Sequence, residues 1–140
     1  IGIYEYFNNL YNYHFENKVL ETRKKIEKIN NLISLHEAEI ANPLLEYLSN
    51  NINYSLIGKD KIENKNRAPT ISFVHKNKSS RDLSNYLVQN KIATRNDNFY
   101  AWRCLKALNI DDKDGVVRIS LVHYNTIDEV KKLIALLNRY

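Results

Sequence analysis

At 140 residues, with 44% hydrophobic and 26% charged side chains, the chain has the composition of one compact folded domain, which excludes wholesale disorder. The net charge of +5 permits an anionic partner, but the basic residues are scattered. The densest run, Arg23, Lys24, Lys25 and Lys28, is interrupted by Glu27 and reads as a solvated helix face rather than a nucleic-acid interface.

No apolar run reaches the length of a membrane span, so no membrane partner is expected. The single cysteine, Cys104, rules out an internal disulfide and fits a cytoplasmic location. There is no methionine, even at position 1, which is read as the mark of a fragment. A single domain over 1–140 is expected: an aromatic-rich segment over 1–16, a long helix over 17–50, then a sheet with helices over 54–140.

The first segment carries Tyr4, Tyr6, Phe7, Tyr11, Tyr13 and Phe15, part of it helical around residues 3–10. Aromatics at this density need something to pack on. Self-packing and a surface for a missing domain are equally open readings. In the next segment Val19, Ile26, Ile29, Ile33, Ile40, Leu44 and Leu48 recur at helical spacing and give one apolar stripe. Pro43 falls inside that pattern, so one bent helix or two in tandem is predicted.

Residues 54–57 make a short strand and 58–66 a polar loop. Residues 69–75 are β-branched and aromatic, a second strand. Ser79 with Asp82 resembles a capping box opening a helix through Leu83, Tyr86 and Leu87. A short strand over 92–95, a short helix over 99–108 and a strand over 116–122 follow. Thr126 with Glu129 caps a last helix whose apolar face is Val130, Leu133, Ile134 and Leu137. This order predicts an α+β fold: a small sheet of about four strands with helices packed on one face, preceded by a long helix.

Little in the chain has the spacing of a reactive centre. His14, His36, His75 and His123 do not pair at helical spacing, and there is no CxxC, so no metal site is expected. Ser120, His123 and Asp128 are close in sequence but lack a nucleophile elbow. No glycine-rich loop precedes a helix, as a phosphate cradle would require.

Two arginines stand out. Arg95 ends a short strand before Asn96, Asp97 and Asn98; Arg118 lies mid-strand among apolar residues. An unpaired buried guanidinium is costly. On physical grounds alone the simpler reading is a salt bridge to Asp97, Asp112 or Glu129. The other is a clamp for a substrate carboxylate.

Three stretches resemble one family. Arg67-Ala68-Pro69-Thr70-Ile71-Ser72-Phe73 is similar to the strand that opens the small domain of cysteine desulfurase-like proteins. Ile92-Ala93-Thr94-Arg95, followed by Phe99-Tyr100-Ala101, resembles their active-site loop. Val117-Arg118-Ile119-Ser120-Leu121-Val122-His123-Tyr124-Asn125-Thr126 with Glu129 resembles their penultimate strand and last helix cap, and is the most specific of the three. Upstream, the helix around residues 23–48 is similar to the long helix before the small domain.

The resemblance is to class V aminotransferases and cysteine desulfurases, fold-type I enzymes dependent on pyridoxal phosphate (PLP). It implies the C-terminal small domain of such an enzyme. The large domain of the same polypeptide would carry PLP and the Schiff-base lysine. The parent would be a homodimer acting on an amino acid, and this part would be inactive alone, with no cofactor bound and no catalytic residue of its own. By motif position, Arg118 and Arg95 become substrate-binding residues, and the carboxylate reading of Arg118 takes precedence over the salt bridge.

One departure matters. Where desulfurases carry their nucleophilic cysteine this chain has Tyr100, and Asp97 replaces a loop glycine. Cys104 lies four residues further on, expected within a helix as a small buried residue. The pattern is closer to the desulfurase-like aminotransferases. The alternatives are a free-standing non-catalytic module that binds a ligand or protein, and a truncated remnant.

Overall fold

In a computed structural model, residues 1–16, 21–63 and 65–140 are described. Five helices and four strands follow in the order α1 (Gly2–His14), α2 (Thr22–Asn50), β1 (Tyr54–Ile57), β2 (Thr70–His75), α3 (Ser80–Gln89), β3 (Arg95–Asp97), α4 (Trp102–Ala107), β4 (Val116–Ser120) and α5 (Ile127–Arg139). The predicted start of the long helix at Asn17, Val19 of its stripe and Asn64 of the loop lie outside the described residues.

The strands form one antiparallel sheet in the order β1-β2-β4-β3. Register assigns its two faces, because directly paired residues point the same way. Ile71 pairs with Ile119 and Phe73 with Val117, and all four are buried. They meet Ile40, Ala41, Leu44, Leu45 and Leu48 of α2, Leu83 and Leu87 of α3, and Val130, Leu133 and Leu137 of α5 in one core. The expected α+β architecture, with helices gathered on one face of the sheet, is the one observed. On the other face lie the pairs Thr70 with Ser120 and Ser72 with Arg118.

Helix α2 runs through Pro43 unbroken. A proline inside a helix costs about 3 kcal/mol and leaves the carbonyl four residues back without its donor. Here that carbonyl belongs to Glu39, an exposed residue. Immediately around Pro43, Ile40, Ala41, Leu44 and Leu45 are fully buried. Each buried aliphatic side chain is worth about 1.5–3 kcal/mol, so continuing the helix outweighs the lost hydrogen bond. The stripe itself is divided. Ile29, Ile40, Leu44 and Leu48 are buried, Ile33 is half-buried, and Ile26 is exposed.

The first helix is longer than predicted, reaching His14 and packing along α2. Three other boundaries also moved. The strand expected over 92–95 is instead Arg95–Asp97, because residues 90–92 close α3. Lys91 adopts φ 62, its amide bonds to Val88 O (2.9 Å), and Ile92 N bonds to Leu87 O (2.9 Å), a Schellman cap. The helix expected over 99–108 begins only at Trp102, since Phe99 and Tyr100 are both left-handed, at φ 48 and 61. Strand β4 stops at Ser120, short of the predicted 122.

Candidate functional site

The chemistry of the open sheet face begins with register. Arg118 of β4 is paired with Ser72 on one side and with Arg95 of β3 on the other. Directly opposed side chains have Cβ atoms about 5 Å apart. The two arginine side chains therefore leave the same face of the sheet from adjacent strands, with a serine completing the row. Like charges in this position destabilise a sheet unless an anion lies between them.

Neither arginine is neutralised by a described residue. Among the described residues, neither forms a salt bridge or a side-chain hydrogen bond. The three carboxylates that could have paired with Arg118 are committed elsewhere. Asp97 accepts from Asn98 N at 2.7 Å, and Asp112 faces Lys106 at 3.6 Å. Glu129 accepts from Thr126 N at 2.8 Å in the cap of α5. By contrast, Arg67 is engaged by backbone, donating to the carbonyls of Lys59 and Thr70, and partial burial pushes its pKa down from the ordinary guanidinium value.

The surroundings of the pair are firmly built. Thr94 Oγ1 donates to Arg118 O at 3.1 Å, extending the β3–β4 contact beyond the last backbone pair. Gly115, at φ 68, enters β4 so close to β3 that an added Cβ would lie 2.3 Å from the carbonyl carbon and oxygen of Asp97. Only glycine fits there. Beyond β3 the chain turns through Asn98 to Ala101. Ala101 N bonds to Asn98 O at 2.8 Å and Tyr100 N to Asn98 Oδ1 at 3.0 Å. With positive φ at both central residues this is a type I′ turn. A left-handed residue with a side chain costs about 1–2 kcal/mol, so the turn holds Phe99 and Tyr100 against their preference. The Phe99 ring sits over Arg118, its centroid 3.9 Å from Cζ. Tyr100, at the position expected for the desulfurase nucleophile, is 93% exposed.

Helix α3 approaches from behind. Asp114, one residue before Gly115, accepts from Ser80 N (2.6 Å), Ser79 Oγ (2.8 Å) and Arg81 N (3.2 Å). Ser79 Oγ in turn accepts from the amides of Arg81 and Asp82. Asp82 makes no reciprocal bond to the N-cap; the carboxylate at this helix start is Asp114, which takes the first two helical amides and the Ser79 hydroxyl instead. Burial pushes the Asp114 pKa up, but the hydrogen bonds from Ser80, Ser79 and Arg81 outweigh it and hold the carboxyl below its ordinary value. At α5 the predicted capping box is complete.

Other sequence candidates are dispersed. Ser120 is exposed, and Asp128 pairs with Lys131, so the trio Ser120, His123 and Asp128 makes no relay. Cys104 lies in α4 but is exposed, against the burial expected of it; its neighbour Leu105 takes the buried position. The spacing of the histidines concealed a different grouping. His14, His36 and His123 line a pocket of about 280 Å³ with Leu10, Ile29, Leu32 and Ile33. His36 donates from Nε2 to Asn125 O (3.0 Å), and His123 Nε2 shares a hydrogen bond with the Tyr6 hydroxyl. Glu37 stands nearby, its pKa raised by burial against the lowering effect of His123 and His36. No local signal in the sequence brings these groups together; the packing of α1 on α2 does. Among the described residues no helix is long and apolar enough to cross a membrane.

Residues 16–133 match the model of the family Aminotransferase class-V. The chain is 32% identical over 106 residues to Aminotransferase-like protein FGM3 of Gibberella zeae, covering 75% of this chain and 26% of that protein. It is 38% identical over 69 residues to a probable cysteine desulfurase of Mycoplasma pneumoniae, covering 49% and 15% respectively. It therefore spans about a quarter, or less, of these relatives' lengths. Among solved structures, an apo cysteine desulfurase from Thermococcus onnurineus NA1 superposes with a TM-score of 0.67 at 23% identity, over 84% of this chain and 29% of that one. The cysteine desulfurase CsdA of Escherichia coli gives 0.63 at 19%, over 84% and 28%. These two likenesses concern the fold.

Proposed function

The chain belongs to the aminotransferase class-V family, and from that premise we propose that it is the C-terminal small domain of a PLP-dependent enzyme acting on an amino acid, with Arg118 and Arg95 holding the substrate's α-carboxylate. The observation that carries this reading is the like-charged pair itself. Two arginines are paired directly across adjacent strands, and none of the described carboxylates neutralises either. A carboxylate bound between them would remove the repulsion and gain charge-assisted hydrogen bonds from a planar, bidentate donor. Fixing the carboxylate at one end of the substrate orients the bonds at its α-carbon, which is the contribution a clamp makes to rate.

Members of this class use PLP. Among the described residues no lysine is buried and no glycine-rich turn opens a helix. These residues do not fit a PLP site, and no step of its chemistry is assigned to them. On this reading the cofactor and its lysine belong to a large domain of the same polypeptide, in an enzyme that functions as a homodimer in the cytoplasm. Tyr100 stands where a desulfurase nucleophile would be, so transfer of an amino group is favoured over desulfuration through a persulfide.

The test is Arg118→Ala in the native polypeptide that carries this chain. Losing a bidentate charge-assisted contact costs about 3 kcal/mol, or about a hundredfold in KM for amino acids. An unchanged KM overturns the assignment. Steady release of sulfide from L-cysteine would overturn the preference for amino-group transfer.

A further inference from the structure

The type I′ turn does more than join β3 to α4. We propose that Phe99 is a positioning residue for Arg118: its ring holds the guanidinium by one face and leaves the N–H edge to the substrate carboxylate. This inference rests on the carboxylate reading of Arg118. It goes beyond it by giving a task to a residue in the turn, where the sequence departs from the desulfurase pattern.

Three observations converge. First, the ring centroid lies 3.9 Å from Arg118 Cζ, contact distance for a guanidinium on an aromatic face. Second, the ring is delivered by a backbone that resists the conformation. Phe99 is at φ 48 and Tyr100 at φ 61, and the turn is fixed by Asn98. Asn98 accepts from Ala101 N and Tyr100 N, is held by Asp97 Oδ1 through its own amide, and donates from Nδ2 to Asp112 O at 3.4 Å. Uncommon backbone held in place by surrounding bonds is where a fold stores a functional geometry. Third, no described group hydrogen-bonds or ion-pairs the Arg118 side chain, so the ring contact is the interaction that holds its guanidinium among the described residues.

The physical consequence is specific. An arginine on a strand has four side-chain torsions and, without a partner, many rotamers. Ordering it on substrate binding costs free energy that a pre-ordered side chain does not lose again. A stacked ring restricts the guanidinium before substrate arrives and shields one side of it from water, which strengthens its attraction for a carboxylate at the free edge. Only the aromatic face does this; an aliphatic side chain of similar bulk fills the space without the cation–π attraction.

The experiment compares Phe99→Leu, Phe99→Tyr and Arg118→Ala in the native polypeptide, with L-alanine as the probe and ethylamine as its counterpart lacking the carboxylate. Leucine meets the same left-handed backbone as phenylalanine, so a change in folding alone is not built in. Phe99→Leu is expected to raise KM for L-alanine about fivefold, within the range of a desolvated cation–π contact, with kcat little changed and ethylamine handled as before. Phe99→Tyr is expected to restore the KM. In an Arg118→Ala background, Phe99→Leu is expected to add nothing, because the group it positions is gone. If Arg118→Ala raises KM and Phe99→Leu does not, the positioning role is overturned while the carboxylate reading stands. An equal loss for L-alanine and ethylamine, or full additivity of the two substitutions, also overturns it. If Arg118→Ala itself leaves KM unchanged, both fall together.

Discussion

Helices α1 and α5 are each thirteen residues long, yet they are held in the molecule by different means. Helix α5 begins in a complete capping box, carries Asp128 and Glu129 in its first turn and Arg139 in its last, and buries Val130, Leu133, Leu136 and Leu137. Every local and tertiary preference agrees. Helix α1 has no side-chain cap and buries Tyr11 alone, while Ile3, Tyr4, Tyr6 and Tyr13 remain exposed. Apolar content does not separate the two; periodicity against an available partner does. Helix α5 shares one core with α2 and the sheet, whereas α1 lies along the first half of α2, whose own Ile26 is exposed, and meets the rest of the domain at the Tyr6–His123 contact.

The contrast can be broken most easily by truncation. Leu133→Ala removes a side chain that is 3% exposed and is expected to cost about 3 kcal/mol, whereas Ile3→Ala, at 79% exposure, should change stability by less than about 0.5 kcal/mol. Urea denaturation of both variants measures this, and equal losses would mean that α1 is packed as tightly as α5. Acid sharpens the picture elsewhere in the packed unit. The folded pKa of Asp114 lies below its ordinary value, so its contribution is present above the unfolded value of about 4 and is lost as pH falls through the folded one. Asp114→Asn should therefore be less stable than the unchanged chain at neutral pH, and the gap should close below about pH 4; a gap that persists in acid would deny the carboxylate its part in capping α3. The smallest effect is at the cap. Thr126→Ala is expected to cost about 1 kcal/mol, seen as a lower denaturation midpoint with unchanged slope, and α1 has no equivalent cap to lose.

The same difference explains what could be read from the residues alone. The strand through Ile71 and Phe73, the strand through Val117 and Ile119, and the capped last helix were legible because alternation, stripe and cap all point one way. The bounds of β3 and the start of α4 were not. Lys91 closes α3, and Phe99 and Tyr100 turn the chain ahead of Trp102, all in the left-handed conformation where glycine is the usual signal, and with three glycines in all that signal was missing. Pro43 left one bent helix and two in tandem both open, because its local cost is plain while the burial that keeps a single helix running through it is tertiary. At the candidate site, Arg95 and Arg118 were visible as unusual residues, and the family resemblance gave them a role. Their side-by-side placement, the absence of a described carboxylate partner and the Phe99 ring over Arg118 depend on register and on a turn that no propensity favours. The grouping of His14, His36 and His123 was likewise hidden, because it joins α1 to a loop more than a hundred residues away.

Gly115 carries a consequence for anyone who varies this chain. In a saturation library, position 115 should accept nothing but glycine, since the first carbon of any other side chain meets the Asp97 carbonyl at 2.3 Å. Gly58 also has a positive φ, but open space surrounds it, and it should tolerate asparagine. Two positions of the same residue type, both in loops, would then give opposite columns in the library. The intolerant one would mark where β3 and β4 are pressed together beneath the arginine pair, and recovery of other residues at 115 would indicate that the two strands had parted.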